Sequence, residues 1–218
     1  MPRPHRSLVP LLALTLGAAG TADAQQTFVA FMTNAQETPP VVPTFSDGTP
    51  RPASFGFASF TLSPDQSSLT FVATIHNIDF TGTQTTDPND NLTAAHIHGS
   101  AADVATTRPV VWGFFGTPFN DLNSSSAANC QAMATGVGFT CSATWDMAEG
   151  NGGTTLTAQL PNIFAGRTYL NFHTNQFPGG ETRGAIMVTP EPATVALLGS
   201  GLLGLAMVGI RRRREGTG

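Results

Sequence analysis

The sequence predicts an all-β domain, an antiparallel Greek-key-like β-sandwich or barrel, and three observations point there. Short runs of β-branched and aromatic residues alternate with small or polar ones, most clearly in Phe55-Gly56-Phe57-Ala58-Ser59-Phe60. Such period-two patterning sends alternate side chains to one core-facing surface. Gly, Pro, Asn and Asp clusters punctuate the runs at short intervals, as turn chemistry requires. Helical character is confined to Leu156–Ala165, where Pro161 is expected to shorten any helix to a turn.

In chain order, the expected strands begin with Thr27–Thr33. Ala53–Leu62 and Ser68–Ile78 follow, separated by the turn Ser63-Pro64-Asp65. The polar turn Asp87-Pro88-Asn89-Asp90 precedes Leu92–His98, and Pro109–Phe115 comes next. Phe139–Trp145 ends before a glycine-rich turn at 150–153. Tyr169–Thr174 and Arg183–Val188 flank Pro178-Gly179-Gly180. Residues 36–52 and 116–138 read as long polar loops, and no internal repeat stands out.

Both ends carry addressing signals. Arg3 and Arg6 precede the apolar run Leu8 to Gly20 and then Ala22-Asp23-Ala24, the layout of a cleaved signal peptide over residues 1–24. At the other end, Pro190-Glu191-Pro192 is followed by eighteen uncharged residues, 193–210, and by Arg211, Arg212, Arg213 and Arg214. As a helix that run is about 27 Å long, enough for a bilayer core. The arginines are expected to stay on the cytoplasmic side, leaving the preceding domain outside. This tail resembles the PEP-CTERM sorting signal (residues 190–214), which implies a transient inner-membrane helix, an exosortase as processing partner, and delivery to the cell surface or extracellular matrix.

The intervening domain, 25–189, is large enough for one core. It has four arginines, no lysine and eleven carboxylates, so its formal charge is about −7 against −4 for the whole chain. That balance, without a basic patch, argues against nucleic acid as a partner. Cys130 and Cys141 lie in the exported part, where a disulfide is stable. A bridge between them is expected to close a small loop and contribute roughly 2–3 kcal/mol.

The histidines carry the chemistry. His96-Ile97-His98 places two imidazoles on the same face of a strand, and His173 ends another strand in which it shares a face with Asn171 and Tyr169. If these strands are neighbours, His96, His98 and His173 converge on one ion, and imidazole ligands suit copper or zinc. The alternative is a hydrogen-bonded network in which Asn171 and Glu181 satisfy buried imidazoles. Catalytic signatures such as Gly-x-Ser-x-Gly, a phosphate loop or His-Glu-x-x-His do not occur.

Several blocks resemble one family. Ala95-His96-Ile97-His98-Gly99, Arg108-Pro109-Val110-Val111-Trp112, the run Gly166 to Thr174, and Phe177-Pro178-Gly179-Gly180-Glu181-Thr182-Arg183-Gly184 match signatures of the CHRD (chordin-type) domain in order. Asn34 to Val41 resembles that family's opening Glu-x-Pro-Pro strand. The resemblance spans about residues 28–187 and implies an extracellular β domain with no agreed enzymatic activity. The His-x-His strand and the Gly-Gly-x-x-Arg-Gly end also resemble, more loosely, copper/zinc superoxide dismutase. That likeness implies His96, His98 and His173 as ligands and Arg183 as an anion guide, with Asn171 and Glu181 as supporting neighbours. The expectation is an exported, non-enzymatic binding or structural module, with matrix polysaccharide or a surface protein as partner. Its alternative is a histidine-ligated copper or zinc protein with redox activity.

Overall fold

A computed structural model of the chain describes residues 25–100, 106–189, 199–202 and 204–205. Ten strands form one antiparallel sheet: β1 (Gln26–Thr33), β2 (Phe55–Leu62), β3 (Ser68–His76), β4 (Leu92–Gly99), β5 (Val110–Phe115), β6 (Cys130–Ala132), β7 (Gly138–Asp146), β8 (Thr168–Thr174), β9 (Thr182–Ala185) and β10 (Met187–Val188). Within residues 25–189, two α-helices accompany them, α1 (Ser126–Asn129) and α2 (Leu156–Phe164), with short 3-10 turns at Asn34–Gln36 and Pro88–Asp90.

The strand order is β5-β4-β8-β9-β1-β2-β3-β7-β6, with β10 pairing against β1. β1 meets β9 at Thr33–Arg183 and β10 at Val29–Met187 and Phe28–Val188, and this junction, interrupted at Ile186, joins the two halves of the sheet. The expected sandwich or barrel therefore takes the form of one sheet curled on itself. Ring contacts demonstrate the curl. Phe71 of β3 meets Trp112 and Phe114 of β5, at centroid distances of 6.2 and 4.7 Å, although these strands are far apart in the ladder.

The alternating runs supply this interior. Phe28, Ala30 and Met32 of β1, Ala58 and Phe60 of β2, and Phe71 and Ile75 of β3 are all buried. Each large apolar side chain of this kind contributes about 1.5–3 kcal/mol on burial. Trp112 and Trp145 stack at 5.6 Å between the halves. Their indole N–H groups donate to the Glu149 carboxylate and carbonyl, at 3.0 and 2.8 Å, so neither buried donor is left unpaired.

Three details differ from the sequence expectation. The loop at 116–138 contains α1 and the short strand β6, whose Cys130 lies directly opposite Cys141 of β7. The disulfide between them therefore links neighbouring strands across the ladder. The expected final strand is broken at Ile186, which turns inward while its N–H donates to the Thr168 carbonyl. Pro161 sits inside α2 and does not cut it short. Thr155 caps that helix, and Leu156, Leu160 and Ile163 anchor it in the core, which outweighs one missing N–H.

The expected signal peptide, Pro190-Glu191-Pro192 and Arg211 to Arg214 lie outside the described residues. Among the described residues, no helix is long and apolar enough to cross a membrane. The expected span 193–210 falls largely outside them, with 199–202 and 204–205 helical.

Candidate functional site

The site lies on the side of β4 and β8 opposite the core. Along β4, Ala95 and Ile97 enter the core, so His96 and His98 face the other way. Along β8, Leu170 and Phe172 face inward, and Tyr169, Asn171 and His173 join the histidines. The antiparallel register sets His96 opposite Asn171 and His98 opposite Tyr169. His173 pairs with Ala94, diagonal to His96. In an exposed sheet this face would be solvated; here every residue of β8 is buried. Segments around Gln36–Ser54, Arg108, Thr117 and Pro178 fold over it, as their hydrogen bonds show.

One nitrogen from each of His96, His98 and His173 lies within 4.8 Å of the other two. A single point therefore lies no more than about 2.8 Å from all three, and ring shifts below about 1 Å bring bonds to the 2.0–2.1 Å of a zinc–imidazole pair. The three side chains are only 4–6% exposed.

The outer nitrogens decide the tautomers. His96 Nε2 lies 3.1 Å from the Thr117 carbonyl, His98 Nδ1 2.7 Å from that of Arg108, and His173 Nδ1 3.0 Å from that of Pro178. A carbonyl only accepts, so each of these nitrogens carries the hydrogen. The inner nitrogens are then bare lone pairs. His96 Nδ1 and His173 Nε2 face one another at 3.3 Å, and His98 Nε2 has no hydrogen-bond partner.

A second proton does not relieve this crowding near neutrality. Burial, reinforced by the other two imidazoles, pushes His96 down to about 3. Burial also takes His98 down to about 4, against the pull of the Arg108 carbonyl, and lowers His173. All three stay neutral, the state in which imidazole binds a metal.

The surroundings hold the rings in place. His98 stacks on Tyr169, with centroids 4.8 Å apart and planes 5° from parallel. The Tyr169 hydroxyl accepts from the Arg108 N–H, and the Arg108 carbonyl takes the His98 hydrogen, which closes a small cycle. Gly113 of β5 permits the approach of the neighbouring loop: a Cβ there would lie 1.9 Å from the Pro118 carbonyl oxygen and 2.9 Å from the His96 ring.

The acidic and basic residues expected near the site, Glu181 and Arg183, pair with the β1–β2 loop. Glu181 is fully buried and bound by both terminal nitrogens of Arg51, by Ser54 and by Thr174. Arg183 lies over the Tyr169 ring, 4.8 Å from its centroid. Its Nε donates to the Gln36 carbonyl, a terminal nitrogen donates to Thr38, and the Glu37 carboxylate is 3.7 Å away. Burial pushes the Glu37 carboxyl up to about 7, with Arg183 opposing. Asn171 is buried beside His96, its Oδ1 unpartnered. His76 is remote from the cluster, stacked on Phe55 across β2 and β3.

The ring-orienting carbonyls of Arg108, Thr117 and Pro178 carry no signal of residue type, because any residue supplies a carbonyl. Arg51 and Glu37 stood in a region that read as a polar loop. Only the Glu-x-Pro-Pro block gave a hint for Glu37.

The family model of the CHRD domain matches residues 28–186, and that of the PEP-CTERM protein-sorting motif matches residues 188–214. Comparison with curated proteins and with solved structures gives no match.

Proposed function

We propose, from the premise that this chain belongs to the CHRD domain family and is an exported protein bearing the exosortase-directed PEP-CTERM motif, that its domain binds one transition-metal ion, copper or zinc, through His96, His98 and His173. One observation carries the reading. Three neutral imidazoles spend their hydrogens on backbone carbonyls and direct three bare nitrogens at one buried point. A merely structural network would pair each nitrogen with a donor. A buried acceptor left without one costs about 1–3 kcal/mol, and here the acceptors also repel one another. A cation offsets all of it. Carbonyls that hold the second nitrogen of a ligating histidine, and so fix its tautomer and orientation, are the usual support for such a site.

The test is metal analysis of the full chain, purified in mild detergent without a polyhistidine tag after copper or zinc is supplied. About one ion per chain is expected, lost in a His98→Ala/His173→Ala variant that still shows a β-type circular dichroism spectrum. A folded wild-type chain that takes up neither ion would sink the reading.

A second reading is a non-enzymatic module of the surface or matrix, and a different face favours it. The outer side of β1, β2, β3 and β7 exposes Phe31, Phe55, Phe57 and Val72 among threonines and serines. Apart from Asp146 at the end of β7, the outward positions of these strands include no lysine, arginine, aspartate or glutamate. Exposed rings of this kind mark interaction surfaces. A neutral matrix polysaccharide, with hydroxyls and apolar ring faces, suits that chemistry. The two readings use different faces of the domain and do not compete for residues.

A further inference from the structure

We infer that the ion held by the three histidines keeps one coordination position open to a surface cleft and takes a small anion from solvent there; the inference rests on the metal reading above. The cleft, of about 480 Å³, is bordered by His96 and His173 together with Thr93, Ala94, Pro118 and Pro178. Two of the three ligands therefore form part of its wall, while His98 lies deeper against Tyr169.

The donor count leaves a vacancy. Among the described residues, only these three side chains of the histidine, cysteine and carboxylate types gather at the point. The cleft lining contains no carboxylate and no thiol. The carbonyls of Thr117, Arg108 and Pro178 already accept the outer imidazole hydrogens. Copper and zinc sites with three protein ligands complete their shell from solvent. The cleft walled in part by His96 and His173 is the route we assign to that fourth ligand.

Charge selects its class. Three neutral imidazoles leave a divalent ion with its full double positive charge among side chains that are 4–6% exposed. Unbalanced charge in so dry a place is costly. Of the buried carboxylates nearby, Glu181 is bound to Arg51, and Glu37 lies beside Arg183 at 3.7 Å. A monovalent anion at the fourth position halves the net charge. Hydroxide formed from a bound water would serve, and so would a small exogenous anion.

The test uses the copper(II)-loaded full chain in detergent and azide as the probe. Titration should produce a new azide-to-copper absorption band that saturates at one azide per copper, with a matching change in the electron paramagnetic resonance spectrum. A Thr93→Trp variant, altered at an exposed position on the cleft wall, should keep its copper and lose most of the band. Copper bound at one per chain with no azide response in the wild type overturns the open position while leaving the metal reading intact. Unchanged azide binding in Thr93→Trp overturns the cleft as its route. A chain that binds no copper removes both.

Discussion

At the scale of single residues, His98 concentrates the tension of the site. Its ring is pinned on one side by Tyr169, its Nδ1–H is spent on Arg108, and its Nε2 has no protein partner. The depressed values of His96, His98 and His173 have a thermodynamic consequence. In the unfolded chain these groups take up protons below about 6.5, whereas in the fold they resist until much lower pH. The unfolded state thus binds more protons over that interval, and stability falls as pH drops through it. At about pH 5, His96 and His98 should each cost on the order of 2 kcal/mol. Glu37 acts in the opposite sense: its folded value near 7 exceeds the ordinary 4.5, so its stabilising share is complete below 4.5 and lost as pH rises through 7. Three histidines outweigh one carboxyl. The metal-free chain should melt at lower temperature at about pH 5 than at about pH 7.5, and Glu37→Gln should steepen the decline. A metal-free chain that is more stable in acid contradicts this account.

At the scale of elements, Gly113 on β5 and the loop after it form one device. Gly113→Ala would drive a methyl group into the Pro118 carbonyl and the His96 ring. The expected cost is about 1–3 kcal/mol of stability, together with weaker copper binding as the Thr117 carbonyl leaves His96. Gly179→Ala, with open space around it, is the control that should change neither. Denaturant unfolding and copper titration of the two variants test this, and equal behaviour would contradict it. The strands were readable in advance for a simple reason. In Phe55 to Leu62 and Ser68 to Ile75 one face is buried and the other solvated, so period two survives in the residue types. β8 is buried on both faces, yet its histidine stood out because few buried residues titrate. The break at Ile186 was hidden because it depends on partners distant in sequence, and β6 because three residues are too few to show a period. Pro161 misled because local propensity yielded to core packing by Leu160 and Ile163.

At the scale of the whole molecule, the domain and its address are separable. The CHRD match ends at residue 186 and the sorting motif begins at 188, five residues past Arg183 and at the last residue of β10. Replacing Pro190-Glu191-Pro192 with alanines should therefore leave the fold and its metal content unchanged. In a host carrying an exosortase, the variant should accumulate unprocessed, as read by mass and by cell fractionation. Processing and release at the wild-type level would refute exosortase recognition through those residues.

The sheet has two free margins, and the disulfide bears on one of them. β7 is nine residues long, and β6, three residues held in register by Cys130–Cys141, covers its outer side at Phe139, Thr140 and Cys141. An unpaired strand of that length would be an open template for a second molecule. For an exported chain, that covalent clasp keeps this stretch of the margin paired with its own polypeptide and so works against edge-to-edge pairing there.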